Sequence, residues 1–216
     1  MKRVDKDLSR FKFLSITNAI YEGIMVYEVN NEKIADFLGV RCNQDVCVGL
    51  IYYPSRTFFF LKEKNNPKIK GSLIFTNHPE DLLSFFKNKE SALKNKDNCY
   101  STRNSFLTIQ YEGETTLLDD DKIKAKLYLR DICERKWENY LPPNRFTNLL
   151  LELLVNITKQ KYYCLINNHE GYYKLEKINE YIIDVMRRHA KESQVLWKIM
   201  MEVEEIKKKW ASCVNR

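Results

Sequence analysis

A chain of 216 residues, 44% of them hydrophobic, is long enough to bury a core, either as one large domain or as two small ones. Its 36 Lys and Arg against 29 Asp and Glu leave a formal charge of +7, which suits phosphate-bearing ligands or nucleic acid and equally a plain solvated basic surface. No run of about 18 apolar residues is present, so a membrane-spanning helix is excluded.

The opening residues MKRVDKDLSRFKF carry neither the apolar stretch nor the cleavage site of a signal peptide, and a cytoplasmic location is expected. Cysteines stand at 42, 47, 99, 133, 164 and 213, with no CxxC pair and no His at zinc-ligand spacing. No metal site is expected, and reduced thiols are the default. Cys42 and Cys47 flank a polar tip and can approach each other across it, which leaves their oxidation state open.

Residues 18–29, NAIYEGIMVYEV, are rich in β-branched and aromatic side chains and predict a strand; Asn30-Asn31-Glu32 supplies a turn, and KIADFLGV returns as the second strand of a hairpin. Residues 41–45 form a second polar tip. VCVGLIYY, residues 46–53, is a nearly continuous apolar run of the length of a buried strand. Pro54 ends it, and Ser55 is a good N-cap for a short helix from Thr57 to about Glu63, which Asn65-Asn66-Pro67 breaks. KIKGSLIFT, residues 68–76, predicts a fourth strand leaving through Asn77-His78-Pro79. Pro79 then opens a second helix with Glu80 and Asp81 in its first turn and LLSFF as its apolar face.

Residues 87–104 contain almost no apolar side chain and read as a solvated, mobile basic loop. SFLTIQYEGE and KIKAKLYLRDICERKWE predict two more strands around the acidic turn Asp119-Asp120-Asp121. Some six short antiparallel strands point to a barrel or sandwich. At Pro142-Pro143 the character changes: Asn144 caps a strongly apolar helix, Asn167 to Gly171 reads as a loop, and helical stretches follow over about 175–191 and 193–210. The expected organisation is a β domain over residues 1–140 and a helical segment over 141–216.

The chemical signal lies in Ser55-Arg56-Thr57. A helix N-terminus presents unpaired N–H groups and a partial positive charge, the hydroxyls add donors, and Arg adds a fork that matches a phosphate. An ordinary N-cap beside a surface Arg reads the same residues as well. The clusters Phe58-Phe59-Phe60 and Phe85-Phe86 are expected in the core, since both lie on short helices that must cover a sheet. His78, at a strand end, is the one histidine placed to line a site, and a plain turn histidine reads the position as well; His169 and His189 have no catalytic neighbours. A basic stripe with interleaved aromatics is absent, so nucleic acid is not an expected partner except through the basic loop from Lys87 to Arg103.

Taken in order, the segments resemble a mainly archaeal family of flavin mononucleotide (FMN) binding split-barrel proteins, the domain of unknown function 447. The resemblance rests on Tyr21-Glu22-Gly23-Ile24 opening the first strand, Leu38-Gly39-Val40 ending the second, and Ser55-Arg56-Thr57 after the third. Further matches are Asn77-His78-Pro79 with Leu83-Ser84-Phe85-Phe86, and Asn144-Arg145 with Asn156-Ile157-Thr158-Lys159. Where the family carries Asn-Ala-Ala-Pro on the second strand, this chain has Lys33-Ile34-Ala35-Asp36-Phe37; Asn156 and Lys159 stand for its His and Arg.

The resemblance implies a Greek-key split barrel with a C-terminal helical segment and FMN held near a homodimer interface. It implies that Ser55, Arg56 and Thr57 take the phosphate, that the backbone of Leu38, Gly39 and Val40 lies along the isoalloxazine ring, and that Asn77, His78, Thr158 and Lys159 approach the ligand. A flavin-dependent oxidoreductase would follow, or a flavin-binding protein without turnover, or a barrel that has lost its ligand and serves as an interaction module.

Overall fold

Six antiparallel strands close on themselves. In this computed structural model, residues 14, 19–29, 32–65, 67–88, 91–140 and 144–211 are described, with side chains to residue 209. The turn at Asn30-Asn31, Asn66, Pro142-Pro143 and Cys213 lie outside them. The strands are β1 (Tyr21–Val29), β2 (Glu32–Asn43), β3 (Val46–Tyr52), β4 (Lys68–Phe75), β5 (Lys94–Lys96), β6 (Cys99–Ser101), β7 (Leu107–Asp119) and β8 (Lys122–Arg135). The barrel order is β1-β2-β3-β8-β7-β4, with β4 pairing back onto β1, while β5 and β6 form a separate two-stranded sheet.

Alternation explains the closure. Met25, Tyr27 and Val29 on β1, Ile34, Leu38, Val40 and Cys42 on β2, and Ile123, Ala125, Leu127 and Leu129 on β8 all fall on one parity and meet in a single core. Two staves approach closely where Gly71 faces β1: a Cβ there would sit 1.8 Å from the Val26 carbonyl oxygen, which also accepts the Tyr111 hydroxyl at 2.8 Å.

β3 lies between β2 and β8 whereas β4 lies between β1 and β7, so the chain between them crosses the barrel, as in a Greek key. The crossing begins at a cis Tyr53–Pro54 bond, where the Ser55 N–H donates to the Tyr52 carbonyl at 3.0 Å. It continues through α1 (Arg56–Glu63). Phe58 and Leu61 enter the core and Phe60 packs against it. Phe59 does not follow the expectation for the triple Phe: it is 50% exposed, because helical spacing turns it away from the face that Phe58 and Leu61 share.

Two sequence-based expectations are corrected here. Residues 87–104 are not an unstructured loop: β5 and β6 make a hairpin, turned by Asp97 and Asn98 at φ 52° and 62°, and Tyr100 is buried against the barrel. Nor are the thiols all reduced. Cys42 faces Cys47 directly across the β2–β3 ladder and the two form a disulfide, as do Cys99 and Cys133. The hairpin register brings Cys42 to Cys47, an approach already open from the sequence, whereas Cys99 meets Cys133 only through tertiary approach, which sequence spacing does not show.

The chain forms two compact units. One holds Met1–Phe75, Leu93–Thr102 and Phe106–Trp137, which is the barrel, α1 and the small hairpin; the other holds Thr76–Ala92, Arg103–Ser105 and Glu138–Arg216. In the second unit lie α2 (Pro79–Lys87), α3 (Arg145–Leu165), α4 (His169–Ala190) and α5 (Gln194–Ala211). Asn144 caps α3 through a 2.8 Å bond from Thr147 N–H, as its sequence predicts. α4 starts at His169 rather than near 175: Asn168 Oδ1 accepts the Gly171 N–H at 2.9 Å, and Glu170 suits the first turn, so His169 to Gly171 of the expected loop are helical. α3 and α4 share buried amides, with Asn179 Nδ2 donating to Gln160 Oε1 at 2.7 Å and Gln160 Nε2 to Glu176 Oε2 at 2.6 Å. No helix among the described residues is long and apolar enough to cross a membrane.

Candidate functional site

The barrel wall is incomplete along β2. β1 pairs with β2 from Glu32 to Val40, but β3 covers the other edge only from Val40 to Asn43. The first turn of α1 comes to the edge left uncovered: Thr57 Oγ1 donates to Asp36 Oδ2 at 3.2 Å. Asp36 Oδ1 in turn accepts the Phe37 N–H at 3.0 Å, satisfying a strand N–H with a side chain in place of a strand partner. Two segments named from the sequence, Ser55 to Thr57 and Leu38 to Val40, are therefore brought to one stretch of the barrel.

Their side chains have different tasks. Ser55 Oγ accepts the Phe58 N–H at 3.1 Å, the N-cap bond, and its own proton is left to donate. Arg56 is exposed at the first helical position. Thr57 is fully buried and its hydroxyl is directed inward to Asp36. Leu38 and Val40 point into the core, so backbone and the outward side of Gly39 are what this strand presents. A Cβ on Gly39 would come to 3.0 Å from Ile20 Cγ2 and 3.3 Å from Glu22 Oε1.

Asp36 is the residue that the sequence reading missed as a site member. Ile34, Leu38 and Val40 share its parity and face the core, so a half-buried carboxylate at a core-facing position was the available signal. Its negative charge lies at the N-terminal turn of α1, where the helix dipole favours an anion.

The remaining candidates belong to the second unit. His78 is the N-cap residue of α2 but makes no capping bond with its side chain; its Nε2 lies 2.8 Å from the Asn139 carbonyl oxygen. Asn77 precedes it at the strand exit. Thr158 and Lys159 are exposed in the middle of α3, and the Thr158 hydroxyl donates to the Val155 carbonyl at 2.6 Å, within its own helix. Nearby, Asp81 accepts the Asn104 N–H at 2.8 Å and the Asn104 amide at 3.0 Å, and ties the start of α2 to residue 104. No group of three or more His, Cys, Asp or Glu suited to a metal is present among the described residues.

No family model matches the chain, and no curated protein does. Solved structures do. An FMN-bound protein from Methanosarcina mazei, of the domain of unknown function 447 family, aligns over 90% of this chain and 98% of its own, at 18% identity and a TM-score of 0.63. A flavin reductase complexed with NADP+ aligns over 59% of this chain and 86% of its own at 13% identity, with a TM-score of 0.41, too low to carry an argument. The closed six-stranded barrel with its helical companion is thus a split-barrel fold, shared along nearly its whole length with the Methanosarcina protein.

Proposed function

We propose that this chain is an FMN-binding split-barrel protein in which the α1 N-terminus and the open edge of β2 hold the ligand. The observation that carries the reading is the meeting of Ser55-Arg56-Thr57 with the uncovered stretch of β2 before Leu38-Gly39-Val40. The phosphate end fits two of the three side chains: the Ser55 hydroxyl and the exposed Arg56 guanidinium, with the helix dipole behind them. Thr57 contributes by fixing Asp36 and hence the edge, rather than by donating to a phosphate. Backbone of Leu38 to Val40 would lie along the ring. Bound flavin supplies the hydride chemistry, the protein the position and the exclusion of water. A flavin-dependent oxidoreductase acting as a cytoplasmic homodimer is the activity this reading leads to.

Purified protein should show flavin absorbance or acquire it on titration with FMN. Arg56→Ala should weaken binding about 10- to 100-fold, the loss expected for a charge-assisted bidentate contact. A colourless protein that takes up no FMN at high concentration overturns the reading. A second reading is favoured by Asp36, whose carboxylate already meets the electrostatic demand of the α1 N-terminus: the barrel would be a ligand-free interaction module. Asp36→Asn separates the two, since removing the charge should tighten FMN severalfold in a binding site and do nothing in a vestigial one.

A further inference from the structure

The two disulfides of the barrel unit meet solvent differently. Cys42 is 8% exposed and Cys47 0%, whereas Cys99 is half-buried and Cys133 exposed. The hairpin that carries Cys99 is not a stave of the barrel, for β5 and β6 pair with each other, and Lys94–Lys96 are exposed along their whole length. Noncovalent attachments include the buried Tyr100 ring with Lys33 Nζ 4.8 Å from its centroid, and a 3.0 Å bond from the Tyr100 N–H to Ser72 Oγ. The long 3.4 Å contact from Gln110 Nε2 to the Asn98 carbonyl adds little. A two-stranded hairpin is marginal by itself, so the tie between Cys99 and Cys133, 34 residues apart, decides how firmly it lies on the wall.

We propose that Cys99–Cys133 is a thiol–disulfide exchange site for a dithiol reductant, and that opening it releases residues 93–102 from the barrel wall. One thiolate of the dithiol attacks the exposed Cys133 sulfur, the S–S bond breaks, and Cys99 leaves as a thiolate that takes up a proton. Ser72 Oγ, 4.0 Å from Cys99 Sγ, is placed to donate to that leaving sulfur. The second thiol of the reductant then displaces Cys133 and closes its own disulfide, so that two electrons and two protons pass from the dithiol to the protein. Cys42–Cys47, sealed in the core, is shielded from the same attack.

The test treats the full chain under native conditions with graded dithiothreitol, alkylates it, maps the labelled cysteines by peptide mass, and follows amide hydrogen exchange in parallel. The expected result is that Cys99 and Cys133 are labelled while Cys42–Cys47 stays joined. Exchange over residues 93–102 should rise roughly tenfold with the barrel strands unchanged. Cys133→Ser should reproduce that exchange without any reductant. The proposal is overturned if Cys42 and Cys47 are labelled at the same or lower dithiothreitol, or if Cys99 and Cys133 open with no change in the hairpin's exchange.

Discussion

Two tyrosines inside the barrel show how much one hydroxyl contact decides. Tyr27 and Tyr111 are 0% and 2% exposed, and burial pushes both phenols well above their ordinary range, with Tyr111 and Asp36 adding to the effect on Tyr27. Tyr111 donates to the Val26 carbonyl at 2.8 Å, whereas the Tyr27 hydroxyl has no partner among the described residues. Tyr111→Phe should therefore cost about 1–2 kcal/mol in urea denaturation, and Tyr27→Phe should be neutral or stabilise by up to about 1 kcal/mol. At this scale the sequence was legible where the signal was local. Ser55 reads as a cap from its neighbours alone, but that Thr57 would turn inward needed Asp36, 21 residues away, to be in place.

At the scale of elements, close approach of staves and the capping of α1 set the stability of the site. Gly71→Ala would drive a Cβ onto the Val26 carbonyl oxygen at 1.8 Å and part β4 from β1, so a loss of about 3 kcal/mol or more is expected from a denaturant midpoint. Ser55→Ala should cost about 1 kcal/mol, the usual price of an N-cap. The four barrel strands before α2, and α1 between them, were readable because apolar runs, Pro54 and Ser55 act over a few residues. The hairpin within 87–104 was not, since Tyr100 and Cys99, which tie it to the wall, stand in a largely polar segment. α4 was read one turn and more too short because Gly171 suggested a loop, and the Asn168 cap outweighed it.

For the whole molecule the buried phenols fix an alkaline limit. Tyrosines of the unfolded chain ionise near pH 10, and Tyr27 and Tyr111 in the fold only at higher pH, so their contribution to stability is complete below about pH 10 and is lost as pH rises beyond it. The urea midpoint should hold from neutral pH to about 9 and fall between about 10 and 12; a profile flat to pH 12 contradicts this. The two disulfides also bear on the expected cytoplasmic location, because such bonds persist in a reducing compartment chiefly in hyperthermophile proteins or as redox-responsive sites. By itself the sequence determined the six barrel strands and the five helices, the caps that start α1 and α3, and the order of motifs that resembles an FMN-binding split barrel. Those signals are local: period, turn residues and capping chemistry act within a few residues. Only the tertiary structure decided that β4 closes onto β1, that α1 lies at the open edge of β2 with Asp36 against Thr57, and that Cys99 finds Cys133. Each of these is a contact between distant segments, set by which faces the core can bury together, and no short stretch of chain carries that information.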